Sequence, residues 1–301
     1  VIEVKAFVFP GQGSQSTGMG KNLVEEYPEY NNYYDIASEV IRDDLSAIIN
    51  AEDDTKLTLT QYTQPAILTT SVIAYEHIRK TTNLKPDVVA GHSLGEWTAL
   101  VVAGVLSFKD AVRMVHLRGK YMSEACPPGE GTMAAVIGLS DEVIEECLKD
   151  FDSLCIANYN SPGQIVISGA ANEFDEAEKQ LTEKGAKMFV RLNVSGPFHS
   201  PLIEDAKEKL EKEIENTEFH EANIPVYQNA DAKPHTSVEE IKKNLIRQVT
   251  SAVRWTQTVE NMISDGVDEF YEIGHGGVLS GLIKRINRKV NIQRFDKIIK
   301  K

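Results

Sequence analysis

Ser93 stands in Gly91-His92-Ser93-Leu94-Gly95, directly behind the apolar run Val88-Val89-Ala90 and directly before the helical spacing of Leu94, Trp97, Leu100 and Val101. A Gly-x-Ser-x-Gly between strand and helix is the arrangement of a nucleophile elbow. The turn is tight, so small residues must flank the serine. Its hydroxyl then sits at a helix N-terminus, where the Leu94 N–H and the helix dipole favour a developing negative charge. The plain alternative is a Gly-rich turn that merely contains a serine. A serine hydroxyl needs a base to accept its proton, and the chain holds seven histidines. His77 and His116 fall in helical patterns, His220 and His235 in acidic or turn-rich surface segments, and His92 inside the elbow, pointing away from Ser93. Two equal candidates remain. His199 precedes a helix N-cap on a segment stiffened by Pro197 and Pro201, and His275 follows a strand in Gly274-His275-Gly276-Gly277. Neither has an aspartate orienter close by, so a Ser-His pair steadied by a backbone carbonyl or amide stands beside a full triad as an expectation.

Arg118 is the second chemical signal. Ser107 and Asp110 read as a capping box that opens a helix whose apolar positions are Ala111, Met114, Val115 and Met122. Arg118 falls on that inward stripe, where a guanidinium needs an anionic partner because an unpaired buried charge costs several kcal/mol. It is either one half of an internal salt bridge or a bidentate clamp for a substrate carboxylate.

These residues need elements to carry them. The first half alternates strand and helix: a strand through Ala6 to Phe9, the loop Gly11-Gln12-Gly13-Ser14-Gln15, a helical pattern from Tyr33 to Ile49, and another from Ala66 to Ile78 after Thr63-Gln64-Pro65. That alternation predicts an α/β layer with a parallel sheet and reactive loops at the carboxyl ends of its strands. The breaker cluster Cys126-Pro127-Pro128-Gly129-Glu130-Gly131 marks a boundary. Beyond it come a strand (Thr132 to Ile137), a helix capped by Ser140 or Asp141, and strands at Leu154 to Ala157 and Ile165 to Ser168 around the turn residues Asn160-Ser161-Pro162-Gly163. A helix (Glu173 to Lys184) and a strand (Met188 to Val194) complete it. The order βαββαβ is that of a ferredoxin-like unit, here inserted as residues 128–197 into a large α/β subdomain of residues 1–127 and 198–301. The chain returns through a helix started by Ser200 and Pro201, a strand at Ile224 to Tyr227, helices at Val238 to Val249 and Trp255 to Met262, a strand at Phe270 to Ile273 and a helix at Val278 to Ile286.

Composition excludes several classes. The net charge of −13 argues against nucleic acid as a partner. No apolar run reaches the roughly 18 residues that would suggest a membrane span. The segment Val1 to Phe9 reads as a strand rather than a signal peptide. Cys126, Cys147 and Cys155 lack metal-ligand spacing, so no metal is expected, and they suggest a reducing, cytoplasmic setting. Lys284, Arg285, Arg288, Lys289, Arg294, Lys297, Lys300 and Lys301, set against Asp296, form a basic tail that is either solvated or a face for an acidic partner.

Taken in order, Phe9-Pro10-Gly11-Gln12-Gly13-Ser14-Gln15, Thr63-Gln64-Pro65-Ala66, Gly91-His92-Ser93-Leu94-Gly95-Glu96, Arg118, Asn160-Ser161-Pro162-Gly163-Gln164 and Gly196-Pro197-Phe198-His199-Ser200 resemble the malonyl-CoA:acyl carrier protein transacylases over nearly the whole chain. The resemblance implies an α/β-hydrolase-like large subdomain with a ferredoxin-like insert. It implies Ser93 as nucleophile, His199 rather than His275 as its base, and the Gln12 and Leu94 N–H groups as oxyanion hole. It further implies Arg118 on the malonyl carboxylate, Met122, Phe198, Gln64 and Asn160 around the substrate, and Gln248 supporting His199. In this family a phenylalanine at the position of Phe198 goes with malonyl rather than methylmalonyl. The implied reaction moves malonyl from malonyl-CoA to the phosphopantetheine thiol of acyl carrier protein, with no cofactor, by a monomer. A serine thioesterase or esterase would use the same elbow, and a non-catalytic carrier-protein binding module would not need it. One departure stands out: Gly274-His275-Gly276-Gly277 replaces the family's usual Gly-Pro-Gly-Lys, which puts any contact from that loop to coenzyme A or carrier protein in doubt.

Overall fold

The computed structural model describes residues 3–300; Val1 and Ile2 of the expected first strand and Lys301 of the basic tail lie outside the described residues. The strands, in chain order, are β1 (Val4–Phe9), β2 (Val88–Gly91), β3 (Gly131–Ile137), β4 (Cys155–Ser161), β5 (Gln164–Ala170), β6 (Met188–Arg191), β7 (Val226–Tyr227), β8 (Pro234–His235), β9 (Val267–Glu272) and β10 (Asn291–Arg294). A six-stranded sheet runs β10-β9-β1-β2-β7-β8. It is parallel from β10 to β7, and only β8 is antiparallel. Successive residues of β1 serve opposite faces: Phe7 and Phe9 pack with one core, Ala6 and Val8 with another that holds Trp255, Val259, Leu279 and Ile283. Burial on both faces is why Ala6 to Phe9 of β1 and Val88 to Ala90 of β2 read as unbroken apolar runs.

A separate antiparallel sheet has the order β4-β5-β3-β6. Helices Asp141–Leu148 and Phe174–Glu183 cover one of its faces, where Ile144, Phe174 and Leu181 meet Val136, Ile165 and Ile167. Its other face sends Met133 and Val166 into the core of the large unit. The α/β class with a ferredoxin-like second sheet is therefore the observed architecture. The small sheet is tied to the segment before helix Trp255–Ser264 at β4, where Tyr159 N–H donates to Val253 O at 2.9 Å and Val253 N–H to Ala157 O at 2.7 Å.

Several element boundaries differ from expectation. The helical pattern from Tyr33 to Ile49 is two helices, Asn31–Ile41 and Leu45–Ile49, because Arg42 turns left-handed (φ 56°) and Asp44 caps the second by accepting from Ala47 N–H. Thr63-Gln64-Pro65 does not precede a helix but lies inside one, Thr60–Thr81. A proline there deprives the carbonyl four residues back of its donor. That carbonyl is Gln61 O, and the His116 ring supplies the bond instead at 2.8 Å. Asn160 and Ser161 belong to β4 rather than to the turn, which is left to Pro162 and Gly163 (φ 77°), since the ladder with β5 continues to the pair Ser161–Gln164. β6 stops at Arg191 instead of Val194, and β7 and β9 are placed at Val226–Tyr227 and Val267–Glu272, displaced from the expected ranges.

Candidate active site

The elbow forms where β2 reaches the carboxyl edge of the parallel sheet and turns at once into helix Leu94–Val102. A Cβ on Gly91 would lie 1.9 Å from the Gly95 carbonyl carbon, and one on Gly95 would lie 2.1 Å from Phe9 O. Only glycine permits such close backbone approach. Ser93 itself sits at φ 49°, ψ −102°, a conformation that costs a non-glycine residue on the order of 1–3 kcal/mol. His199 also has positive φ, at 57°. Strain of this kind persists only when surrounding contacts over-determine it.

Those two residues meet. Ser93 Oγ lies 2.9 Å from His199 Nε2, and His199 Nδ1 lies 2.8 Å from Gln248 O. A carbonyl can only accept, so Nδ1 carries the proton and Nε2 is free to take one from Ser93. Burial, and after it the charge of Arg118, pushes the His199 pKa down to about 3, which keeps the ring neutral. His275 is placed elsewhere. It bonds Ser16 Oγ at 2.7 Å and lines a different cavity, of about 460 Å³, between residues 17–23 and the C-terminal segment.

The cavity at Ser93, about 190 Å³, is lined by Gln12, Leu94, Arg118, Met122, Asn160, Phe198 and His199 among others. Neither the Gln12 nor the Leu94 N–H donates to a described residue. Arg118 projects from helix Phe108–Glu124 and is almost wholly buried. Nη1 donates to Gln64 Oε1 at 2.8 Å, and Nη2 to Ser93 Oγ at 2.9 Å and Gln248 Oε1 at 3.0 Å. Its Nε is buried without a partner. Glu96 acts on it only through space, and burial lowers its pKa to about 10, so the cation persists at neutral pH. The internal salt bridge that the sequence allowed is not formed: every direct partner is neutral. Gln64 stands behind the guanidinium, with Nε2 3.8 Å from Met122 Sδ, rather than in the cavity wall. Asn160 does face the cavity, its Oδ1 held by His92 Nε2 at 2.7 Å.

Residues 6–296 match the acyl transferase domain family. Over 289 residues the chain is 46% identical to the malonyl CoA-acyl carrier protein transacylase of Bacillus subtilis, spanning 95% of this chain and 91% of that protein. It is 42% identical to the Escherichia coli K12 enzyme of the same name, over 93% of this chain and 92% of that one. The chain belongs to the malonyl CoA-acyl carrier protein transacylase family. Among solved structures, the family member from Coxiella burnetii superposes with a TM-score of 0.96 at 38% identity, covering 99% of this chain and 96% of that one. A malonyl-transacylase solved in complex with a type II PKS acyl-carrier protein superposes at 0.94 with 41% identity, covering 97% and 96%.

Two buried residues of this family member escaped the sequence reading. Asn229 Oδ1 accepts from Ser93 N–H at 2.8 Å, and its Nδ2 donates to Gly91 O at 2.8 Å. Glu96 Oε1 accepts from Asn229 N–H at 2.6 Å, and Oε2 lies 3.4 Å from Gln228 Nε2. Burial pushes the Glu96 carboxyl up to about 8 against those donors and Arg118. Asn229 lies just past β7, at the carboxyl edge of the strand beside β2, a place that no local pattern in the sequence marks.

Proposed function

We propose that the chain transfers malonyl from malonyl-CoA to the phosphopantetheine thiol of acyl carrier protein through a malonyl-Ser93 ester. The observation that carries this reading is the buried Arg118 guanidinium, which touches Ser93 Oγ and has only neutral partners. Such a group gains most from a carboxylate brought to it by the substrate, because an anion offsets the buried positive charge and matches the planar fork, which neutral amide and hydroxyl oxygens do not.

His199 Nε2 takes the Ser93 proton as Oγ attacks the thioester carbonyl carbon, and the oxyanion accepts hydrogen bonds from the Leu94 and Gln12 N–H groups. The tetrahedral intermediate collapses with loss of the coenzyme A sulfur, which takes the proton from His199. The carrier thiol then gives its proton to His199 and attacks the ester carbonyl, and Ser93 leaves reprotonated. Ping-pong kinetics follow. Met122, Phe198 and Asn160 line the cavity that would take the acyl group, and Gln248 holds His199 through its carbonyl. This chemistry calls on no cofactor, since coenzyme A and phosphopantetheine enter as substrates. The malonyl-transacylase solved with an acyl-carrier protein supports such a partner here. The three free thiols suit a cytoplasmic setting, and the reading requires no second copy of the chain. No described helix is long and apolar enough to cross a membrane.

Intact mass after incubation with malonyl-CoA tests the reading. One malonyl mass on the wild type, none on Ser93→Ala, and discharge by carrier protein are expected. Release of free malonate without any acceptor, at the rate of transfer, would instead identify a thioesterase.

A further inference from the structure

The strained elbow raises the question of what keeps Ser93 at positive φ with its hydroxyl on His199. Neither glycine flanking it does so, because glycines permit the conformation without enforcing it. The contacts that enforce it converge on one side chain from the turn that follows β7. Asn229 Oδ1 accepts both Ser93 N–H (2.8 Å) and Gln248 Nε2 (2.9 Å), while Nδ2 donates to Gly91 O (2.8 Å). Gln248 Nε2 is also 3.2 Å from Ser93 O. The Gln248 amide is thereby oriented so that its Oε1 faces Arg118, and its own carbonyl holds His199. Asn229 is in turn fixed at its main chain, where its N–H donates to Glu96 Oε1 and its carbonyl accepts from Arg254 N–H at 3.2 Å. Every polar atom of this wholly buried residue is used.

We infer that Asn229, seated by Glu96, is the positioning residue of the acyl-transfer site, clamping the elbow backbone so that Ser93 Oγ meets His199 and only the Leu94 N–H of the elbow is left for the oxyanion. Ser93 N–H points at Asn229 and is spent there. Loss of the clamp frees the elbow to relax toward ordinary dihedrals, which swings Oγ away from Nε2 and turns Leu94 N–H from the reacting carbonyl. The same loss releases the Gln248 side chain, so nucleophile, base and clamp lose register together. This inference rests on the proposed role of Ser93 as nucleophile.

A serine-directed fluorophosphonate tests it, because that probe carries no carboxylate and so does not use Arg118. The maximal labelling rate and the half-saturating probe concentration are measured for wild type, Asn229→Ala and Asn229→Asp, alongside thermal unfolding. Misplacement of a reacting group by about 1 Å costs on the order of 10²-fold, and a fall of that size in the maximal rate is expected for Asn229→Ala, with the half-saturating concentration unchanged. Asn229→Asp keeps the oxygen that accepts Ser93 N–H and Gln248 Nε2 while replacing the donor to Gly91 O by a second carboxyl oxygen, so it should label at a rate between the two. Equal rates for wild type and Asn229→Ala, equal losses in both variants, or a loss no larger than the drop in folded fraction each overturn the inference. Absence of a Ser93 adduct in the wild type overturns the proposed function itself, and this inference with it.

Discussion

At Arg118 the planar fork matters as well as the charge. Replacing it with alanine removes two bonds that only a carboxylate-bearing acyl group can make, each worth about 1.5–3 kcal/mol when one partner is charged. The kcat/KM for malonyl-CoA should therefore fall relative to that for acetyl-CoA, and Arg118→Lys should restore the preference only in part, since an ammonium cannot form the fork. An unchanged malonyl-to-acetyl ratio would mean that the carboxylate is read elsewhere. His199 yields a second expectation. Burial disfavours the imidazolium, so its pKa is depressed from 6.5 to about 3, and the ring remains a neutral base as pH falls through the range where a free histidine would protonate. Acylation measured from about pH 7 down to about pH 5 should stay nearly level, because the free-enzyme profile reports the pKa of the essential base. A midpoint near the ordinary histidine value would show a ring in contact with water. The depressed pKa has a stability counterpart: the contribution from a neutral His199 is present above the unfolded value and is lost as pH drops toward about 3.

The elements matter through how closely two helices approach. Helix Thr60–Thr81 carries Gln64 and helix Phe108–Glu124 carries Arg118, and they touch at Gly119, where an added Cβ would lie 2.6 Å from Thr60 O and 2.8 Å from Gln61 Cα. Both obstacles are backbone, so the helices would have to part. Overpacking of this kind costs about 1–3 kcal/mol. Gly119→Val should lower the thermal midpoint and raise the KM for malonyl-CoA, because the Gln64 Oε1 that orients the guanidinium moves away with its helix. A variant with unchanged midpoint and KM would show that the contact yields freely. The His116 bond to Gln61 O belongs to the same junction, which is how a proline is tolerated inside the helix that presents Gln64.

Charge is distributed unevenly over the whole molecule. Despite a net charge of −13, Lys284, Arg285, Arg288 and Lys289 are exposed together at the end of helix Val278–Ile286, and none forms an ion pair among the described residues. That helix starts beside the Gln12 loop, where Val278 and Leu279 share a cavity with Gly11 and Gln12. At 1.5 Å per residue its basic end lies only about 10 Å farther along. An acidic carrier protein seated there would face the entrance to Ser93. Reversing Arg285 and Arg288 to glutamate should raise the KM for carrier protein and flatten its salt dependence, with acylation by malonyl-CoA unaffected. The same KM for both proteins at low ionic strength would count against this face.

Much of the site was legible in the chain because its signals are local. The elbow needs glycines on either side of Ser93, the helix of Arg118 declares its inward stripe by periodicity, and Pro197 and Pro201 mark the stiff segment of His199; each depends on neighbours within a turn or two. The residues alone left His199 and His275 tied, and the motif resemblance separated them. The βαββαβ order was equally plain, since each strand and helix carries its own pattern. What depends on strand order was not legible. Asn229 follows a two-residue strand with little periodicity, and it reaches Ser93, 136 positions earlier in the chain, only because β7 pairs with β2. The fate of Arg118 likewise depended on which groups the fold set around it, and they proved to be amides and a hydroxyl rather than a carboxylate. Sequence pattern reports the environment a residue requires, whereas the partners that fill it are chosen by long-range packing, and packing exists only in the folded chain.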